Sequence, residues 1–385
     1  MVSGCRTPEL RKAMSNGNRI LINAASVGRV FGDGGGAIHK LIGSLVEALR
    51  GMYVVTLFGD CASAPAHVEL IPFSAVMRPR QSIARTPGIM KELLPTSAHL
   101  IVSTHLINSF SSWLYSRIRQ VPWLAWEMDH TPWVPPVGKR TILHRRLVRQ
   151  SNRVIVMSSV MKRRVVGEGI PQERISVVYG DVDTDILTPV GDEDRNRTIL
   201  CVGKFCDRKN QMTLLRAFAH LHGNTGSKYY RLCFVGPSSA SFMMPGSDSY
   251  YRQCQEFVRE NGLEKVVDFK GLLTTAELVE EYRKAAVFVF PTREEAFGLA
   301  LVEAMACGLP CLVSNIEPLS ELLGDAGVLT ATDDPGRLAN DLAELLADVP
   351  RRRRLGELAR ERARKVFDSR TIRTDLVEVV NDMLT

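Results

Sequence analysis

AVFVFPTREEAFGLALVEAMACG, residues Ala286–Gly308, is the stretch whose reading decides the fold. It opens on an apolar run rich in Val and Phe that stops at Pro291, the pattern of a buried strand. A short loop follows. A helix is predicted from near Gly298, over Leu299–Cys307, stopped by Gly308 and Pro310. In doubly wound sheets, ligands sit beyond the carboxyl ends of the strands. A helix start there offers unpaired N–H groups and a partial positive charge, which suit a diphosphate. Glu295 lies in the loop and Glu303 eight residues on, a little over one turn into the helix. Carboxylates repel an anion but accept well from sugar and ribose hydroxyls, so the two glutamates are expected to face neutral groups. Taken alone, Glu295 would be a helix cap and Glu303 a surface residue. The flanking strand and glycines favour the ligand turn.

Outward from this stretch the pattern alternates. Strands are predicted at Arg197–Val202, Arg231–Val235, Val266–Lys270, Ala286–Phe290, Leu309–Ser314 and Val328–Thr330. Helices are predicted at Gln211–His222, Ser249–Asn261, Ala276–Lys284, Glu317–Leu323 and Pro335–Ala347. The same alternation runs earlier in the chain. Arg19–Val27 reads as a strand, followed by Gly32 and Gly34–Gly36 and then a helix with apolar positions Ile38, Leu41, Ile42, Leu45, Val46 and Leu49. Met52–Phe58, His99–Ser103, Val121–Trp126 and Arg153–Met157 read as further strands. Strand–helix alternation means mostly parallel sheets covered by helices on both faces. The polar segment Asp183–Asn196 is read as the linker. The expected division is a frayed terminus over 1–18, a first domain over 19–185, a second over 186–367 and a C-terminal helix over 368–385 that returns to the first domain.

The length, 385 residues, exceeds what one core usually serves. No apolar run reaches the roughly 18–20 residues of a membrane span, and the polar start lacks the apolar stretch of a secretory signal. The eight cysteines form no CxxC pair, which points to free thiols in a reducing compartment rather than to zinc or disulfides. The expectation is a cytoplasmic protein, with peripheral contact at the inner face of a membrane left open. Residues 1–190 carry 23 Lys/Arg against 13 Asp/Glu, whereas residues 191–385 carry 26 against 29. The basic half suits an anionic lipid or a phosphorylated acceptor, or is a set of solvated helix faces. With no aromatic-interleaved basic stripe and no zinc module, nucleic acid is not expected.

EEAFGLALVEAMACGLPCLVS (Glu294–Ser314) resembles the E-x7-E signature of the retaining GT-B glycosyltransferases of family 4. The resemblance extends over Ile199 to about Phe367, through VGKFCDRKN (Val202–Asn210), VDFKG (Val267–Gly271) and the spaced EL…Y…A of Glu277–Ala285. It is looser before that, through the Gly-rich turn, MSSVMK (Met157–Lys162) and YGDVDTDILTP (Tyr179–Pro189). In the last piece Tyr179 replaces the usual asparagine and Asp181 is extra.

The resemblance implies two Rossmann-like doubly wound domains facing a cleft, with the donor on the second and the acceptor on the first. It implies transfer of a hexose from a UDP- or GDP-sugar, with retention, to a carbohydrate or lipid-linked acceptor hydroxyl. Glu303 would accept from the ribose and Glu295 would hold the transferred sugar. The backbone of Ala296, Phe297, Gly298 and Leu299 would line sugar and diphosphate. Lys209 matches the family's phosphate lysine. Lys204 stands where an arginine is common, keeping the charge but not the bidentate fork. Two fixed cations and helix amides can stabilise a leaving diphosphate without a metal, so no metal or cofactor is expected. The run Asp181-Val-Asp183-Thr-Asp185 reads as structural rather than as a metal motif. Gly35 and Gly36 would let backbone amides approach the phosphate or sugar closely. For the first domain's catalytic position the candidates are His130, then Asp129, with His105 a further cleft residue. A sugar-nucleotide 2-epimerase of related fold and a non-catalytic sugar-nucleotide binder are the competing readings.

Overall fold

The computed structural model describes residues 17–24, 37–59, 65–72, 86–104, 108–129, 133, 138–191, 195–222, 229–238 and 248–385. The chain divides into two units: the residues up to Gly180 with Arg370–Thr385, and Asp181–Ser369.

The first unit holds strands β1 (Arg19–Asn23), β2 (Val54–Gly59), β3 (Val68–Pro72), β4 (Leu100–Ser103), β5 (Trp123–Glu127), β6 (Arg153–Val156) and β7 (Ile175–Val177). They form one sheet in the order β3-β2-β1-β4-β5-β6-β7, and each pairs in parallel with its neighbours. The strand order therefore reverses between β1 and β4. Leu21, Ile101, Trp123 and Val154 are buried in its core. Strands β3 and β7 and the helix Thr86–Leu93 lie outside the sequence expectation. Both strands lie at the sheet edges, β7 has only three residues, and Glu69, which pairs with Arg19, breaks the apolar run of β3. Edge strands bury less side-chain surface and carry a weaker pattern. The helix Ser369–Leu384 contributes Ile372, Leu376, Val379 and Val380 as its buried stripe. The Tyr53 hydroxyl bonds the Asn381 side chain, and Arg153 faces Asp382 at 3.5 Å.

The second unit holds β8 (Thr198–Val202), β9 (Arg231–Val235), β10 (Val267–Phe269), β11 (Val287–Phe290), β12 (Cys311–Ser314) and β13 (Gly327–Thr330), in the order β10-β9-β8-β11-β12-β13. All its pairings are parallel, and the order reverses between β8 and β11. Most of the segment expected to be the linker is fastened to this unit. Asp183 Oδ1 accepts from the N–H groups of Asp185 (2.9 Å) and Ile186 (3.1 Å). Thr184 bonds the Asp368 carboxylate. Arg195 donates to the carbonyls of Arg283, Ala285, Cys307 and Gly308 at 3.0–3.3 Å.

One long helix, Val349–Val366, has no stripe of large apolar residues and is not predicted by periodicity. Its buried positions are Gly356, Ala359 and Ala363. A Cβ on Gly356 would collide with the Gly308 carbonyl, so the helix lies backbone-close against the end of helix Leu299–Ala306. That contact helps to bury Leu299–Ala306 nearly all round, Glu303 included. The cysteines among the described residues are free, and no helix there is long and apolar enough to cross a membrane.

Candidate active site

The loops after β8 and β11 leave the sheet side by side, because these strands are neighbours at the point where the order reverses. That is where a doubly wound sheet opens a crevice. After β8 the chain turns at Gly203, makes the short 3-10 turn Asp207–Lys209 and passes through Asn210 in the left-handed region (φ 57°) into helix Gln211–His222. After β11 it runs through Pro291–Gly298 into helix Leu299–Ala306.

The two loops are cross-linked. The Arg293 N–H donates to the Arg208 carbonyl at 2.8 Å, and Thr292 Oγ1 bonds the same carbonyl at 3.0 Å. Asn210 Nδ2 donates to the Pro291 carbonyl (3.1 Å) and to Asp333 Oδ1 (3.0 Å). Arg293 pairs with Asp333 at 2.7 Å and with Asp207 at 2.8 Å. Burial works against its charge, but these two carboxylates hold its guanidinium above the ordinary arginine value. Asn210 and Asp333, both at positive φ, thus brace each other beneath the crevice. Such strain in non-glycine residues persists only where surrounding bonds over-determine it.

Glu295 lies within this frame with its side chain only 9% exposed. Its carboxylate pairs with the Lys209 ammonium and stands 3.5 Å from Arg208 Nη1. The expectation that Glu295 faces neutral groups is corrected for the chain by itself. A carboxylate this buried needs a countercharge, and Lys209 and Arg208 supply it. Lys209 is also seated over the Phe290 ring, 4.5 Å from its centroid. Lys204, by contrast, is exposed and makes no ion pair among the described residues, while Gln211 Nε2 holds its backbone carbonyl at 3.0 Å.

The start of helix Leu299–Ala306 has no side-chain cap. Its N-cap is Gly298 at φ 115°, where a Cβ would come within 2.8 Å of Leu319 Cδ2; only glycine fits this turn without displacing the core. Of the first-turn N–H groups, that of Leu301 bonds the Gly298 carbonyl at 2.9 Å; those of Leu299 and Ala300, which the helix cannot satisfy internally, are not covered by a capping side chain. Ala296 is half-buried, and Phe297 and Leu299 are buried, with Phe297 edge-on to Phe367 at 6.1 Å. Glu303 is buried, and its Oε2 accepts from the Tyr282 hydroxyl at 2.9 Å. Glu303 is thus not a surface residue.

In the first unit, Asp129 is half-buried just past β5. Gly35, Gly36, His130 and His105 lie outside the described residues. Sequence reasoning passed over Glu127, the last residue of β5. It is buried and accepts from His144 Nε2 and Trp133 Nε1, each at 2.8 Å. His144 Nδ1 lies 2.9 Å from Ser109 Oγ. The available signal was a charged residue ending an otherwise apolar strand. Arg208, Arg293 and Tyr282 were missed as site residues too; the first is adjacent to Lys209, and the third is the tyrosine of the spaced EL…Y…A.

Two Rossmann-like parallel-sheet units, with a cation-lined loop pair at the second unit's switch point, define the GT-B glycosyltransferase class. Residues 184–362 match the family model for glycosyl transferases group 1, and residues 38–186 match that for glycosyltransferase family 4. Similar curated proteins are the D-inositol 3-phosphate glycosyltransferases of Corynebacterium aurimucosum, 26% identical with 92% of each chain covered, and of Mycolicibacterium smegmatis, 28% identical over 83% of this chain and 80% of that one. Among solved structures, the sucrose-phosphate synthase of Thermosynechococcus elongatus superposes with a TM-score of 0.82 at 21% identity, covering 95% of this chain and 99% of that chain. HepE of Anabaena, solved with UDP and glucose, gives 0.76 at 20% identity, covering 94% and 98%. The chain belongs to the group 1, family 4 glycosyltransferases and is an enzyme of that class.

Proposed function

We propose that the protein transfers a hexose from a UDP- or GDP-sugar to an acceptor hydroxyl with retention at the anomeric carbon. The observation that carries this reading is the loop pair at the β8–β11 switch point. There Lys209 and Arg208 converge on Glu295, beside a helix start with no side-chain cap. The diphosphate docks on Lys209, Lys204 and the first N–H groups of Leu299–Ala306. These fixed donors stabilise the charge that grows on the leaving phosphate, so no metal is required. Glu295 holds the sugar's hydroxyls near the reacting carbon, and Glu303 accepts from the ribose. With no enzymic nucleophile assigned, the leaving phosphate oxygen takes the acceptor's proton on the same face, the acceptor oxygen bonds to C1, and the C1–O bond to the phosphate breaks.

The structural neighbour solved with UDP-glucose supports a nucleotide-sugar donor. The first unit, with Asp129 and His130 as its catalytic candidates, is assigned the acceptor. Arg117, Arg119, Arg146 and Arg163 are exposed on its helices. They suit a carbohydrate or lipid-linked acceptor presented at an anionic membrane surface, in polysaccharide or glycoconjugate assembly.

A thermal-shift screen against UDP-, GDP- and ADP-sugars should reveal one stabilising base. Transfer with that donor should give a product of retained anomeric configuration by NMR and persist in EDTA. Inversion would contradict the stereochemistry, full loss in EDTA the metal-free account, and acceptor-independent epimerisation of the donor the transferase assignment.

A further inference from the structure

Tyr282 lies on helix Thr275–Lys284, is fully buried, and belongs to no site described above except through Glu303. Its ring lies 6.0 Å from that of Phe288, a residue of β11. Phe288 in turn packs 5.7 Å from Phe290, whose ring carries Lys209. The hydroxyl end is therefore fixed by an aromatic row before it reaches any partner, and that partner is Glu303 Oε2 at 2.9 Å. Burial first, and then the Glu303 charge, push the phenol well above its ordinary value. It stays protonated and serves the carboxylate as a donor. Burial and then the same charge push the neighbouring Cys307 thiol up to about 12.

A glutamate side chain has three rotatable bonds, and on a helix more than one rotamer is open to it. A carboxylate that must accept from a ribose in one geometry gains from having one oxygen tied down. A carboxylate offers about four lone-pair positions, and the phenol bond takes one of them. We propose that Tyr282 is a positioning residue for the ribose carboxylate, clamping Glu303 Oε2 so that the carboxylate is held in the one geometry that meets the donor's ribose hydroxyls. This rests on the reading of Glu303 given under Proposed function. It goes further in assigning ribose selectivity to a residue that never touches the nucleotide. Support on the far side from a rigid element is what keeps such a contact from loosening.

The test is titration calorimetry with UDP, GDP and their 2′-deoxy forms on wild type, Tyr282→Phe and Glu303→Ala, each first shown to be folded by thermal unfolding. For whichever base binds, wild type should prefer the ribose form. Glu303→Ala, which removes the acceptor, should abolish that preference. Tyr282→Phe should weaken the ribose form about tenfold while leaving the deoxy form nearly unmoved. Tyr282→4-aminophenylalanine, whose N–H replaces the hydroxyl as donor, should restore the wild-type preference, and it carries the test alone if Tyr282→Phe does not fold. An unchanged preference in Tyr282→Phe beside a lost one in Glu303→Ala would overturn the positioning role and leave the ribose role standing. Failure of the 4-amino variant to keep the preference would also overturn it. A preference retained in Glu303→Ala would remove the ribose role and this inference together.

Discussion

The two units share one topology and fill their switch points with opposite chemistry. Between β8 and β11 the side chains are charged: Lys209, Arg208 and Arg293 against Glu295, Asp207 and Asp333. Between β1 and β4 those of the described residues are neutral. Asn23 Nδ2 donates to Ser111 Oγ and Ser112 Oγ at 3.0 and 2.9 Å. The Asn23 carbonyl accepts from Thr104 Oγ1 at 3.1 Å and Asn108 Nδ2 at 3.0 Å, and all five residues are buried. A diphosphate needs fixed countercharge, and a neutral hydroxyl-bearing acceptor does not. One strand order thus carries two differently charged sets of described side chains, and the contrast fits the proposal that the second switch point takes the diphosphate.

The sharpest way to break this contrast is to remove a cation from the second crevice. Lys209→Ala should lower turnover by about 100- to 1000-fold, the scale of losing one fixed transition-state donor. Steady-state rates equal to wild type would end the phosphate role. Glu303→Gln should act instead on binding, raising the donor Michaelis constant about tenfold with a smaller change in turnover; an unmoved constant would take Glu303 off the ribose. Asn23→Ala probes the neutral network. It should lower unfolding stability by about 1–3 kcal/mol, because several buried groups lose partners, and leave the donor constant unchanged. A large donor effect there would blur the division of labour. The smallest effect is ionic. Raising salt should weaken nucleoside diphosphate binding by a few-fold, since the crevice is partly screened, and hardly alter that of a neutral acceptor sugar.

Much of this was legible in the sequence. Strong alternation and the Pro291, Gly298 and Gly308 punctuation gave the second unit's central elements, because those strands are buried on both faces and read as unbroken apolar runs. Glu295, Glu303 and Lys209 were legible by spacing and resemblance. What escaped depends on contacts that no local pattern records. The helix Val349–Val366 buries small residues behind a run of arginines. Edge strand β3 carries Glu69. The countercharge on Glu295 and the Tyr282 clamp on Glu303 join residues 86–87 and 21 positions apart in the chain. Only the parallel pairing of β8 with β11 brings the first of these together.

A pyrophosphate docked at the β8–β11 switch point would show in a crystal of the protein soaked with the nucleoside diphosphate that stabilises it most. Phosphate density is expected within hydrogen-bonding reach of Lys209 Nζ and the Leu299 N–H. Density for the diphosphate elsewhere on the chain, with Lys209 still closed on Glu295, would contradict that docking.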